Sequence, residues 1–211
     1  MSSGFDRLHR RSLRLKNYDY SRAGAYFITV CVQKRLCLFG DIVEGHMYAN
    51  PAGEMVAKAW EELPGHYAGV GTDSFVLMPN HIHGVIILNT IGRGGPPWPP
   101  IWPPCGRPSC LSATDQGQPR GVAPTSDKRL TLCDVVHRFK SWTTKLYSDA
   151  VKQDGWPPFP GQLWQRNYYE HVIRNEDDWE KIREYISTNP YSWVTDIENP
   201  ANDRKARIGT T

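Results

Sequence analysis

The chain has 211 residues, a formal net charge of +3 and 39% hydrophobic residues, enough for one domain with a substantial core plus an insertion or tails. No apolar run approaches the roughly 20 residues of a membrane span. Five cysteines without a Cys-x-x-Cys pair speak against a disulfide framework and a thiolate zinc cage. The first residues carry no apolar signal core, so a cytoplasmic protein with reduced thiols is expected.

In chain order, residues 1–22 form a basic N-terminal arm. Arg10, Arg11, Arg14 and Lys16 stand in a run with Tyr18 and Tyr20 close behind, a pattern that can neutralise phosphates and stack on bases. Residues 25–33 are β-branched and aromatic and predict a buried strand. Turn residues Gly40 and Gly45 predict a short hairpin within 36–48. Asn50-Pro51 opens a helix, with Asn as N-cap and Pro where the missing amide costs nothing. Pro64-Gly65 is expected to stop it. Two strands follow, 74–78 and 81–88, with Pro79-Asn80 as a bend.

Residues 90–127 are a Pro/Gly-rich insertion without helical or strand period, of polyproline II character. Helical order resumes at Thr131, whose hydroxyl and Asp134 resemble a capping box. Val135, Phe139, Trp142 and Leu146 predict its apolar stripe, and Arg138 and Lys140 are expected on polar faces open to a nucleic-acid backbone. A last strand falls within 163–173, with Trp164 as core, Arg166 as a phosphate contact and His171 as a hydrogen-bonded structural residue. Asn175 caps a final helix that Pro190 ends, and 196–211 form a polar, loose tail. The predicted fold is α+β: an antiparallel sheet of split β-α-β type with helices packed on one face, in a single domain over 23–195 interrupted by the insertion.

The chemistry-bearing pattern is His81-Ile82-His83. Alternate residues of a strand share a face, so the two imidazoles stand side by side and form half of a divalent-metal site. On the last helix Tyr185 and Asn189 are four residues apart and lie one above the other. If that helix covers the histidine strand, Asn189 can complete a mixed nitrogen and oxygen set suited to Mg²⁺ or Mn²⁺. Tyr185 is then placed as a nucleophile toward a metal-bound phosphate.

Three ordered segments, 79–83 (Pro-Asn-His-Ile-His), 163–175 and 185–190 (Tyr-Ile-Ser-Thr-Asn-Pro), resemble the REP-associated tyrosine transposases of the HUH single-tyrosine superfamily. The resemblance implies a ferredoxin-like fold, with His81, His83 and Asn189 on Mg²⁺ or Mn²⁺. It implies that Tyr185 attacks single-stranded or hairpin DNA to form a 5′-phosphotyrosine link. It also implies a bacterial cytoplasmic protein acting at the nucleoid, as monomer or homodimer. Two other readings stay open: an inactive DNA-binding protein on the same fold, and a histidine-dependent nucleotide hydrolase.

Overall fold

In the computed structural model the described residues are 18–89 and 130–202. The arm before Tyr18, with Arg10, Arg11, Arg14 and Lys16, and the Pro/Gly-rich insertion lie outside them. Within them the fold is α+β. Strands β1 (Gly24–Cys31), β4 (Val70–Leu77), β5 (His81–Leu88) and β6 (Tyr169–Ile173) form an antiparallel sheet in the order β4-β5-β1-β6. A separate hairpin, β2 (Gly40–Val43) and β3 (His46–Ala49), stands apart from it. With helices α1 (Pro51–His66) between β1 and β4 and α2 (Leu132–Gln153) between β5 and β6, the main sheet follows the β-α-β-β-α-β order of ferredoxin-like folds.

The caps expected from sequence set the helix starts. Asn50 Oδ1 accepts from Gly53 N–H at 3.0 Å. Thr131 Oγ1 accepts from Asp134 N–H at 3.1 Å while Asp134 accepts from Thr131 N–H at 2.9 Å. Pro64 does not stop α1, which closes with Tyr67 N–H on the Leu63 carbonyl at 3.1 Å.

Alternation along the strands divides the core in two. Tyr26, Ile28, Val30, Ile82 and Ile86 face α1 and α2, where Val56, Trp60, Leu63, Val135 and Phe139 meet them. Ala25, Phe27, Val85 and Ile173 face the other way and are covered by Ile182 and Ile186 of α3 (Glu176–Thr188). The helices therefore do not all share one face, as the sequence suggested: α1 and α2 do, and α3 takes the opposite one. With α1 and α2 filling the first face, the apolar side chains of the second would lie open to water without α3. Trp179 Nε1–H and Arg183 both donate to the Asp73 carboxylate, fastening α3 to β4.

Gly84 sets the strand spacing on the α1 side. A Cβ there would come within 2.4 Å of the Trp60 ring, so only glycine lets the indole lie flat against β5.

Candidate active site

The strand period places His81 and His83 on the α3 face of β5, and both are buried. Their Nε2 atoms converge to 3.0 Å. Each ring is oriented from behind. Asn80 donates its amide N–H groups to the carbonyls of Arg35 and Glu198, at 3.1 and 2.7 Å. Those two acceptors fix the amide's orientation, so Asn80 Oδ1 is the atom 2.8 Å from His81 Nδ1. His81 Nδ1–H must donate there, which leaves a lone pair on Nε2 of the neutral ring.

His83 Nδ1 lies 2.8 Å from the Thr29 hydroxyl of β1, and that hydroxyl can either donate or accept. When it accepts, Nδ1 carries the proton and both Nε2 lone pairs face the same point. Two lone pairs 3.0 Å apart repel unless a cation lies between them. Ligand atoms at right angles on a first-row cation, each at about 2.1 Å, stand about 3.0 Å apart. The spacing fits a cation held by both rings, and in the other tautomer of His83 it is an N–H···N hydrogen bond to His81.

Helix α3 brings Tyr185 to this pair, and Asn189 stands one turn further on with its side chain hydrogen-bonded to Tyr185. The Tyr185 ring packs edge-on to His83, centroids 5.2 Å apart, and to Phe27 at 5.8 Å. Phe27 itself stacks on His83 at 5.6 Å, so one phenyl ring aligns both. Burial pushes the Tyr185 phenol up to about 12, with Asp196 adding to the rise and a hydrogen bond from the Asn189 side chain opposing it. The group is a neutral phenol at physiological pH and needs assistance to act as a nucleophile.

Asn189 is 4% exposed, and its Oδ1 is buried without a hydrogen-bond partner. A buried amide oxygen without a partner costs roughly 1–3 kcal/mol, a cost that a cation at the histidine pair would offset. A residue before proline is biased away from the α region, yet Asn189 is helical at φ −57° and ψ −41°. The chain continues directly into a 3-10 segment, Asn189–Thr195. That continuation holds Asn189 in phase with Tyr185, one turn along the same face.

The described part of the expected tail, 196–202, is not loose. Trp193 packs beside the His81 ring at 6.1 Å. Asp196 Oδ2 lies 3.7 Å from His81 Nε2, and its side chain is 8% exposed. Glu198 is buried and pairs with Arg35 at 2.8 Å. The sequence reading passed over this segment because it lacks apolar periodicity; polar contacts hold it instead.

The other expected contacts are dispersed. Lys140 turns inward: its ammonium donates to the Gln165, Arg166 and Asn167 carbonyls at 3.0, 3.4 and 3.1 Å. Burial pulls its pKa down to about 8. It organises the loop that presents the exposed Arg166. Arg138 lies over the Tyr67 ring at 5.1 Å, at the end of α1 and away from the histidines. His171 is bonded to Asp178 at 2.9 Å, as a structural histidine would be. Trp164 is core, 4% exposed.

Among the described residues, no three His, Cys, Asp or Glu side chains are gathered closely enough to enclose a metal by themselves. The histidine pair offers two nitrogen donors, and the Asn189 oxygen is a buried acceptor without a partner. No helix among the described residues is long and apolar enough to cross a membrane.

The chain is 38% identical over 192 residues to an uncharacterized protein of Haemophilus influenzae (strain ATCC 51907 / DSM 11121 / KW20 / Rd), covering 89% of this chain and 92% of that one. It belongs to the same family as that protein. No family model matches the chain. Among solved structures it is similar to the REP-associated tyrosine transposase bound to a REP hairpin. That likeness has a TM-score of 0.49 and 16% identity, and covers 83% of this chain and 71% of that one.

Proposed function

We propose that the chain is a metal-dependent tyrosine transposase that cleaves and rejoins single-stranded or hairpin DNA. The observation that carries the reading is the convergence of four groups in one buried cup. Two imidazole nitrogens lie 3.0 Å apart, an amide oxygen has no partner, and a phenol packs against one of the imidazoles. His81, His83 and Asn189 hold Mg²⁺ or Mn²⁺ in this reading. When bound, the cation draws charge from a DNA phosphate and orients it for in-line attack.

The Tyr185 oxygen attacks phosphorus, the phenol proton passes to solvent or a base, and a Tyr185 O–P bond forms. The bond from phosphorus to the 3′ oxygen breaks, and that oxygen leaves as a hydroxyl after taking a proton. The product is a 5′-phosphotyrosine link, which the same steps in reverse pass to another 3′ hydroxyl. Phe27 and the edge-on His83 ring hold the phenol in place, so little rotational freedom remains to be lost on attack.

DNA is held in this reading by the basic residues of the 1–22 arm and by Arg166 on the loop that Lys140 clasps. Tyr48 and Tyr191, 62% and 64% exposed, offer ring faces on which unpaired bases stack. Such a protein acts on DNA in the cytoplasm.

The test is a covalent-adduct assay with hairpin-bearing single-stranded DNA and Mn²⁺. Wild type should form a protein–DNA adduct stable to denaturant, and Tyr185→Phe should form none while binding the same DNA within about threefold. Adducts that persist in Tyr185→Phe would rule out this nucleophile. Wild-type binding without any cleavage would leave the protein a DNA-binding module.

A further inference from the structure

The set formed by His81, His83 and Asn189 carries no charge, which is unusual for a hard divalent cation. Mg²⁺ and Mn²⁺ are selected by oxygen donors, and affinity rises with the number of charged ligands. The segment after α3 supplies the missing charge. Asp196 Oδ2 stands 3.7 Å from His81 Nε2. Cation ligands at about 2.1 Å lie between about 3.0 Å apart at right angles and about 4.2 Å when opposite, so this spacing is within reach of a shared ion.

The carboxylate is held there by construction. Its Oδ1 accepts from Glu198 N–H at 2.8 Å, leaving Oδ2 toward the histidine. The Asp196 carbonyl accepts from the Asn202 amide at 2.7 Å. Glu198 anchors the turn twice, through Arg35 at 2.8 Å and through its own carbonyl, which accepts from Asn80 at 2.7 Å. Asn80 is the residue that orients His81. One amide therefore fixes both a histidine and the segment that carries the carboxylate. The Asn189 oxygen, buried and without a partner, is an independent sign that a ligand belongs in the same cup.

The geometry points to Asp196 as the anionic protein ligand of the divalent cation, completing the set with His81, His83 and Asn189. This rests on the cation site of the proposed function and adds a ligand from outside the three sequence segments that suggested it. A small rotation of the carboxylate that keeps Oδ1 on Glu198 N–H brings Oδ2 onto the ion, and its charge offsets part of the cation's.

The experiment is Mn²⁺ binding to the whole chain without DNA, followed by paramagnetic resonance of free Mn²⁺, for wild type, His81→Ala, Asp196→Asn and Asp196→Glu. Asp196→Asn keeps an acceptor for Glu198 N–H and should melt near wild type. Its Mn²⁺ affinity should fall at least tenfold, and Asp196→Glu should recover part of that loss. Equal affinity in wild type and Asp196→Asn overturns the inference. If His81→Ala also binds as wild type does, the cation site itself is lost. Should Asp196→Asn fail to fold, crystals of wild type soaked in Mn²⁺ decide. A direct carboxylate contact with the ion supports the inference, and an ion held by both histidines without Asp196 overturns it.

Discussion

Two buried threonines, one on each face of the sheet, show how differently the two sides of this molecule are used. Thr143 of α2 is fully buried and accepts from Trp164 Nε1–H at 2.9 Å while donating to the Phe139 carbonyl at 2.8 Å. With the indole as its donor, the hydroxyl keeps its proton on the carbonyls of its own helix, Phe139 and Lys140. Thr29 of β1 is 6% exposed and faces the His83 ring, whose proton can sit on either nitrogen. Its hydroxyl has two arrangements, matched to the two tautomers. The α1/α2 face is thus settled by folding, and the α3 face keeps one proton position open.

Substitution at these positions sharpens the contrast. Thr29→Val should lower Mn²⁺ affinity by about 10- to 100-fold, as loss of an outer partner of a ligating histidine does, measured by Mn²⁺ titration. His83 can keep one bond by shifting its proton to Nε2 and donating to His81. Its buried Nδ1 loses the Thr29 hydroxyl, however, so a stability cost of about 1 kcal/mol should accompany the loss of affinity. Thr143→Val should separate the two effects. The indole N–H of Trp164 loses its acceptor inside the core, costing about 1–3 kcal/mol in denaturant melts, with Mn²⁺ affinity unchanged. A cation affinity that follows Thr143 would break the division between the faces.

The smallest effect belongs to the α3 fastening. Burial raises the Asp73 carboxyl, but the Arg183 guanidinium and the Trp179 indole outweigh it and hold the pKa below its ordinary value. A carboxyl depressed in the folded state adds stability above its unfolded pKa and loses it as pH falls through the folded one. Wild type should therefore lose stability below about pH 4 more steeply than Asp73→Asn. At neutral pH the substitution should cost about 1 kcal/mol or less, since both partners are part-exposed. Melting curves from pH 7 down to pH 3 check this.

Much of the fold was legible because local chemistry and the final structure agree. The β-branched run of β1, the caps at Asn50, Thr131 and Asn175, and the alternation around Ile82 each have one stable solution. The face chosen by α3 was not legible, since an apolar stripe shows that a helix is covered without showing by what. The second half of the α2 stripe was misread by one residue for a related reason. Thr143 and Tyr147 are buried where Trp142 and Leu146 were expected, and those two fall to the edges. Lys140 looked like a surface charge because a sequence does not show three carbonyls turning toward an ammonium. Of the site, the histidines, Tyr185 and Asn189 could be read from spacing. Asp196 could not, because polar contacts from distant Asn80 and Arg35 place it.

Gly84 carries a consequence that reaches across the sheet. The Trp60 ring rests directly behind the strand segment between His83 and Val85, with no side chain as a spacer. Any residue that displaces the indole therefore pushes on the histidine strand itself, and so on the 3.0 Å gap between the two nitrogens. A substitution such as Gly84→Ala, with nothing polar about it and no view of the cup, becomes a way to detune the site from its blind side.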